Sequence, residues 1–568
     1  MFNKKGFIFW LLIFLGLLIF VFRAMIFGAS TKLFNWTEYP YVIWLIYQGI
    51  GKISGFNFGD FGTTSAFFPA KDSYFFSDLY LPQAAMAVPF LPLVHSPILM
   101  FNILFIITFV LNYISLYLFW SIWFKKAWQC FLASVSFIFS PFFHIQIEHF
   151  QMLSYWPLFF SLFFFIKNKT FKYSSSIISG LFLVIQFLTS VYLGVFLIFG
   201  LCLRTFLNLF KNKKREAIKS FFIVVSVFLV GASFFISKYI QVKNDNHFVR
   251  DYKEFMSSSA DITDYIFTTK IDSIVGRLDL VKKWNSIDKH KLGEVAAFPG
   301  LAMTIAGIAY LLNFSFKKKN IFKVNISWKY EDVFFVAILF FGLLFSLGPQ
   351  LNFNGYWSGI PTFYSLLIKY VPFLEVIRGL SRWSFLFYLS LSYFLVAFIS
   401  RRKVWVVLLV VLLFFLENLP VFIKAQAEEY LDPKSDDILI EICKSNNNVL
   451  LEIPTGQLEA GINPVVGQNY ISKRQLASVY HGCSLVNGYS GFEPREHTLF
   501  FRELNKALVD NNVVTIMNLL RDRRVSYLRV SDNLIKKSDA EKFKDSISKL
   551  IKQGKIIPLS EYLYKVVN

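Results

Sequence analysis

Glu38 is the first side chain in this sequence with the type and setting for acid–base chemistry. It lies in FNWTEYPYV, directly after the first long apolar segment, beside Trp36, Tyr39 and Tyr41. A carboxylate held against aromatic rings loses hydration, which raises its pKa towards that of a useful general base. The alternative interpretation is an exposed acid beside aromatic residues that mark a membrane interface. Asp60 lies in FGDFG of the same polar segment. Aspartate is common in turns and at helix caps, which is the simpler interpretation of this residue.

A second polar group lies in HIQIEHFQMLSYWP, which contains His144, Glu148, His149 and Gln151. If this segment is helical, His144 and Glu148 share one face at a spacing of i and i+4. Ionisable side chains at membrane depth usually face a cavity or a partner, so the group is a candidate second contributor to a site. A buried histidine that only packs is the alternative.

A pair of arginines forms the third group. Arg378 and Arg382 lie in FLEVIRGLSRWSF, and a helix would place both guanidinium groups on one side. Arginine suits bidentate binding of phosphate. The alternative is that both side chains extend towards lipid headgroups without a specific ligand.

The elements that must position these groups are membrane helices. The chain has 568 residues, is 55% hydrophobic, contains 70 Phe and has a mean hydropathy of +0.50. Apolar runs of about 20 residues, the length of a bilayer crossing, recur along it. They predict about eleven helices, at residues 6–27, 97–122, 127–143, 154–167, 174–189, 190–210, 217–238, 298–315, 332–347, 380–400 and 404–422.

The charge pattern predicts the orientation of these helices. Lys and Arg runs fall in alternate loops, which places the N-terminus in the cytoplasm and the C-terminal residues outside. Much of the net charge of +21 then flanks the membrane, so we expect no nucleic-acid partner. Three long external segments follow, at residues 28–96, 241–299 and 348–382. Pro141 and Pro157 break the apolar pattern, which predicts a short helical hairpin beside an outward-facing cavity.

From about residue 425 the chain changes character, because charged residues become frequent and apolar runs shorten. We predict an all-α polytopic membrane domain over residues 1–424 and a small extracytoplasmic α/β domain over residues 425–568. Cys443 and Cys483 lie in the second domain and could form a disulfide there, but sequence alone leaves this open.

An ordered set of short motifs resembles the bacterial polytopic membrane glycosyltransferases of the GT-C fold, in a largely uncharacterised branch of that family. The motifs are FNWTEYPYVIW with Asn35 and Glu38, Phe68-Pro69, His149 with Trp156-Pro157, Ser190-Val191-Tyr192, Glu294 with Gly300, Ser346 to Pro349, Arg378 with Arg382, Leu451 to Pro454, and Asn487 to Pro494. Asn35 departs from the family pattern, in which an acid stands at the first position of the motif.

This resemblance implies transfer of a sugar from a polyprenyl-phosphate donor, beside the cytoplasmic membrane, to a cell-envelope acceptor. The implied base or metal-binding acid is Glu38, with Glu148 or His149 as second polar contributor. Arg378 and Arg382 would bind the donor phosphate. Trp36, Tyr39, Asp60 and Tyr192 would contact sugar or acceptor. A divalent metal is possible in such an enzyme, and membrane lipids are further expected partners. We expect Glu38 and the two arginines to converge on one external pocket.

Two other classes of function remain open at this stage. A transporter or flippase of lipid-linked saccharides would place ionisable residues in the middle of several spans, yet most of these residues cluster at the predicted outer side. A non-catalytic membrane scaffold of the same fold would need none of the candidate residues for chemistry.

Overall fold

The structure is a computed structural model of the chain. The residues that it describes are 3–34, 38–55, 60–168, 171–210, 214–250, 252–266, 275–285, 297–316, 330–353, 355–371, 377–424, 428–429, 437–443, 448–453, 464–531 and 537–567.

Helices dominate the described residues. In chain order they are α1 Lys4–Ile26, α2 Tyr39–Ser54, α3 Leu81–Ala87, α4 Pro97–Trp120, α5 Ala127–Ile138, α6 Pro141–Ile145, α7 Phe150–Leu153, α8 Trp156–Lys167, α9 Tyr173–Thr189, α10 Val191–Leu209, α11 Lys214–Asp245, α12 Tyr252–Ser257, α13 Asp279–Asn285, α14 Leu301–Phe316, α15 Tyr330–Ser346, α16 Phe363–Tyr370, α17 Ser384–Ile399, α18 Val404–Lys424, α19 Asp437–Cys443, α20 Pro464–His481, α21 Arg495–Val509, α22 Val513–Asp522 and α23 Lys537–Lys552.

Short strands complete the described elements. They are β1 Lys32–Leu33, β2 Gln350–Phe353, β3 Tyr356–Pro361, β4 Glu428–Glu429, β5 Val449–Ile453, β6 Ser484–Leu485, β7 Tyr527–Val530, β8 Ile556–Pro558 and β9 Leu563–Val566.

A helix occurs at each of the eleven positions that hydropathy predicted. Within the described residues, seven helical stretches are long and apolar enough to cross a membrane. They are Lys4–Ile26, Pro97–Trp120, Ala127–Ile145, Phe150–Lys167, Val191–Leu209, Lys214–Asp245 and Leu380–Ile399. Three further apolar helices are shorter, at Tyr173–Thr189, Leu301–Leu312 and Val404–Asn418. The number of eleven crossings therefore stays a prediction.

The chain divides into two compact units. The first contains residues 1–27, 105–233 and 249–426, and the second contains residues 28–104, 234–248 and 427–568. Residues 28–96, which are predicted to be external, thus group with the C-terminal residues, whereas the sequence analysis assigned them to the membrane domain.

Helix α17 is the core of the first unit. Almost all of its side chains are buried, and they contact aromatic residues of the surrounding helices. Tyr393 stacks on Phe335 of α15 with ring centres 4.1 Å apart, and Phe385 meets Phe137 of α5 edge to face at 5.1 Å. Such pairs add to the stability that burial of apolar area provides.

The predicted break in the apolar pattern between residues 138 and 156 is present in the structure. Helix α5 ends at Ile138, two one-turn helices follow, and α8 begins at Trp156. Pro141 and Pro157 both lie in the first turn of a helix, where a missing N–H costs no hydrogen bond.

A short β-hairpin of β2 and β3, which the sequence did not predict, also occurs in the first unit. The two strands pair antiparallel, and Gly355 at the turn adopts a φ of +84°. Asn-Gly turns favour hairpins because glycine reaches this conformation without steric cost. The strands are too short for their alternation to stand out from the surrounding aromatic sequence.

The second unit contains a five-stranded sheet with the strand order β6-β5-β7-β9-β8. The three strands β6, β5 and β7 are parallel, and all five residues of β5 are buried. Apolar side chains of α21, α22 and α23 cover the sheet in one core. Helix α2 packs on α20, and Cys443 is disulfide-bonded to Cys483, which settles that open question.

Candidate functional site

Arg378 and Arg382 meet in the first unit, but not on one helix as the spacing predicted. Arg378 precedes a short 3₁₀ turn at Leu380–Trp383, which contains Arg382. Both contact Tyr192 in the first turn of α10. The Arg378 backbone N–H donates to the Tyr192 hydroxyl at 3.3 Å, and the Arg382 guanidinium lies 4.8 Å from the centre of the Tyr192 ring. The resemblance had assigned Tyr192 to contact with sugar or acceptor, and that role stays a prediction.

A glutamate from the second long segment joins this arginine pair. Glu254 Oε1 accepts from Arg250 Nη1 at 3.0 Å and contacts Arg378 Nε at 3.3 Å. Burial lowers the pKa of Arg250, whereas Tyr192 and Glu254 oppose that shift. The guanidinium therefore keeps its charge at neutral pH. We call Arg250, Arg378, Arg382, Tyr192 and Glu254 the arginine site.

Helix α12 positions the arginine site through the residue that follows it. Ser258 donates its hydroxyl to the Arg378 carbonyl, and its own carbonyl accepts from the Ser381 N–H at 2.9 Å. Two residues further along the chain, the Ala260 N–H donates to the Ser346 carbonyl at a distance of 2.7 Å. Ser346 is the last residue of α15. Glu254 and Arg378 are therefore held at a fixed separation by backbone contacts, not only by their charges.

Glu38 lies in the second unit, at the N-cap of α2. Its side chain does not cap the helix. Instead its Oε1 accepts a hydrogen bond from the Tyr489 hydroxyl at 2.7 Å, a contact between residues 451 positions apart. The carboxylate is half-buried, so it is both oriented and reachable. Glu38, Tyr41, Gln475, Tyr489 and Ser490 are called the glutamate site below.

The backbone of Tyr489 is fixed by one buried amide side chain. Gln475 of α20 accepts from the Tyr489 N–H at 3.1 Å and donates to the Tyr489 carbonyl at 3.2 Å. Tyr41 packs edge to face on the Tyr489 ring at 5.2 Å, and its hydroxyl hydrogen-bonds Ser490 Oγ at 2.8 Å. Burial raises the pKa of Tyr41, so the phenol stays neutral.

The His144–Glu148 prediction of a shared helix face is wrong. Helix α6 ends at Ile145, so Glu148 lies in a turn with its side chain exposed. His144 and His149 are buried instead. The chain is not helical between Ile145 and Phe150, so the i, i+4 relation does not apply there.

The remaining predicted contacts with sugar or acceptor are dispersed. Tyr39 is fully buried against Phe101, with ring centres 4.9 Å apart, and offers no surface to a ligand in this structure. Asp60 is exposed, and its backbone carbonyl accepts from Lys52 Nζ at 2.6 Å. Trp36 lies outside the described residues.

The divalent metal that the resemblance allows stays a prediction. Among the residues that the structure describes, no three His, Cys, Asp or Glu side chains are arranged to hold an ion. Asn35, which stands at the first position of the acidic motif, lies outside that set. Glu38 is engaged by a phenol donor, which is compatible with proton transfer by the carboxylate.

Sequence reasoning did not single out Arg250, Glu254, Gln475 or Tyr489 as site residues. Tyr489 belongs to the Asn487 to Pro494 motif, which was the available signal. Arg250 and Glu254 share an i, i+4 spacing in a segment predicted to be external, and this spacing was the signal for an ion pair. The glutamate and arginine sites belong to different units, so their convergence stays a prediction.

Comparison with solved structures shows the fold. The chain resembles the arabinofuranosyltransferase AftD from Mycobacteria with a TM-score of 0.52 and 11% identity, over 89% of this chain and 38% of that chain. The archaeal oligosaccharyltransferase AglB from Archaeoglobus fulgidus, in complex with an inhibitory peptide and a dolichol-phosphate, gives a TM-score of 0.45 and 11% identity. That alignment covers 93% of this chain and 69% of that chain. The likeness to AftD supports a GT-C-like fold.

This chain thus spans well under half of the length of AftD. A comparison with curated proteins gives no match. With its apolar helices, the chain is a multi-pass membrane protein with a GT-C-like fold. Residues 41–416 match the family model of a domain of unknown function, DUF6311. Because that match covers more than half of the sequence, the chain belongs to the DUF6311 family.

Proposed function

We propose that the protein is an integral-membrane glycosyltransferase that moves a sugar from a polyprenyl-phosphate donor to an extracytoplasmic glycan, lipid or protein. The GT-C-like fold, shared with an arabinofuranosyltransferase, supports glycosyl transfer. The observation that carries the proposal is the arginine site. Tyr192 contacts the Arg378 backbone and the buried Arg382 guanidinium there, and the partly exposed Arg378 guanidinium can receive a phosphate. The donor class rests on this cationic site.

The proposed chemistry needs one base and one cationic site. The acceptor hydroxyl oxygen bonds to the anomeric carbon of the sugar while its proton passes to the Glu38 carboxylate. The bond between that carbon and the phosphate oxygen breaks, and its electron pair leaves with the lipid phosphate. Arg378 and Arg382 stabilise the negative charge that develops there. Tyr489 holds the carboxylate oxygen in place through its hydroxyl.

The test is release of polyprenyl phosphate from lipid-linked sugars. The protein is purified into nanodiscs, supplied with lipid-linked sugars and envelope fractions from its host, and the released lipid phosphate is quantified by mass spectrometry. Glu38→Gln keeps the size of the side chain but removes the base, so we expect a rate loss of roughly 100-fold to 10,000-fold. Glu148→Gln and His149→Gln test the second polar contributor that the sequence suggested.

Glu496→Gln is the matched control, because it neutralises an exposed acid in the first turn of α21. Its rate should equal that of the wild type. Turnover by Glu38→Gln at the wild-type rate would refute the assignment of the base. Movement of the donor across the bilayer without bond cleavage would instead identify a flippase, and neither cleavage nor movement would identify a scaffold.

A further inference from the structure

The arginine site already contains an anion supplied by the protein. One oxygen of Glu254 contacts both the Arg250 Nη1 atom, at 3.0 Å, and the Arg378 Nε atom, at 3.3 Å. Two guanidinium groups that share one carboxylate oxygen present donors to a single point in space. A phosphate oxygen offers the same acceptor chemistry, and charge-assisted bonds of this kind are the stronger ones.

The exposure of these side chains and the backbone contacts of Arg378 also agree with a Glu254 carboxylate that a phosphate can replace. The side chain of Glu254 is 28% exposed and that of Arg378 is 35% exposed, whereas that of Arg250 is 11% exposed. The backbone of Arg378 is held by Ser258 and Tyr192 whatever its guanidinium binds. The partly exposed carboxylate can turn away while the Arg378 backbone stays in position.

We propose that Arg250 is a third ligand of the donor phosphate and that Glu254 Oε1 occupies the position of a phosphate oxygen until the donor binds. This inference rests on the proposed function. Glu254 thus competes with the donor phosphate for the two guanidinium groups.

The phosphate could belong to the polyprenyl donor, to a bulk phospholipid or to inorganic phosphate, and the experiment separates these sources. Binding of a short polyprenyl monophosphate to the detergent-solubilised protein is measured by native mass spectrometry. Inorganic phosphate and phosphatidylglycerol are then added as competitors. We expect displacement by an unlabelled polyprenyl phosphate and not by equal concentrations of the other two. Equal displacement by either competitor would overturn the assignment to a donor phosphate.

The variants Arg250→Ala and Glu254→Gln should move affinity in opposite directions. Loss of one charge-assisted contact predicts binding about tenfold to 100-fold weaker for Arg250→Ala. Removal of the competing charge predicts tighter binding for Glu254→Gln, by about threefold to tenfold. Arg250→Lys keeps the positive charge but lacks the planar guanidinium, so we expect an intermediate affinity. This variant also keeps the test decisive if Arg250→Ala fails to fold.

Arg277→Ala and Asp279→Asn are the controls, because both side chains are exposed in the same external segment. Weaker binding by Glu254→Gln would show that Glu254 supports the site and does not compete, which would overturn the inference. Unchanged binding by a folded Arg250→Ala or Arg250→Lys variant would also overturn it. Unchanged binding by Arg378→Ala is a different failure, because it would remove the donor site of the proposed function itself.

Discussion

Tyr489→Phe isolates the contribution of one hydroxyl to the glutamate site. The variant keeps the ring that packs on Tyr41 but removes the donor that lies 2.7 Å from Glu38 Oε1. A hydrogen bond to a charged group contributes about 1.5–3 kcal/mol. Since about 1.4 kcal/mol of activation free energy changes a rate tenfold, complete loss of orientation would slow transfer by about tenfold to 100-fold. Water can reach the half-buried Glu38 carboxylate and partly replace the lost hydrogen bond, so we expect transfer to slow by about tenfold.

The assay is the initial rate of polyprenyl phosphate release at saturating donor. The kcat should fall about tenfold for Tyr489→Phe, while KM for the donor should stay unchanged, because the phosphate ligands are not altered. Tyr470→Phe is the matched control. It removes a phenol that donates to the buried Glu452 carboxylate at 3.0 Å in the same unit, and it should keep the wild-type kcat.

A kcat of Tyr489→Phe within twofold of the wild type would refute the positioning role. An equal loss of kcat in Tyr470→Phe would refute it as well, since the effect would then reflect general weakening of the unit. Melting temperatures of the three proteins distinguish a loss of rate from a loss of fold.

Two further predictions concern the stability of the chain. Gly348→Ala should destabilise the first unit by about 1–3 kcal/mol, because Gly348 has a φ of +69° and an added Cβ would lie 1.9 Å from Ser259 Oγ. A melting temperature equal to that of the wild type would contradict this steric argument, and Gly359→Ala at an open position with positive φ is the control for backbone strain alone. Burial raises the pKa of Tyr47 to about 12, whereas an unfolded tyrosine ionises near pH 10. The unfolded state then binds fewer protons between pH 10 and 12, so stability should fall as pH rises through that window, and less steeply in Tyr47→Phe. Equal slopes of melting temperature against pH for the two proteins would contradict the burial of this phenol.

Much of the helical framework was accessible from sequence because it depends on local composition. Apolar runs near the length of a bilayer crossing produce helices wherever they occur, and Pro141 and Pro157 mark breaks through their missing N–H groups. Helix α20 was not predicted, because the face that it buries carries polar residues such as Gln475 and Ser478. An apolar period of 3.6 residues is therefore absent from it.

The site was predicted less completely, because its contacts join distant parts of the chain. Arg378 and Arg382 both contact Tyr192 of α10, although they do not lie on one helix face as their spacing suggested. Gly379, which lies between Arg378 and Arg382, has a non-helical backbone conformation. The hydrogen bond between Glu38 and Tyr489 joins residues that are 451 positions apart in the sequence, and no local sequence pattern predicts such a contact.

The bond between Cys443 and Cys483 has a consequence for how the protein is made. Glutathione and thioredoxin keep cytosolic thiols reduced, so this disulfide agrees with the predicted position of the C-terminal residues outside the cytoplasm. On that topology the C-terminal residues would form the bond only after export. Production hosts that lack oxidative folding at the cell surface should yield chains with two free thiols in this unit.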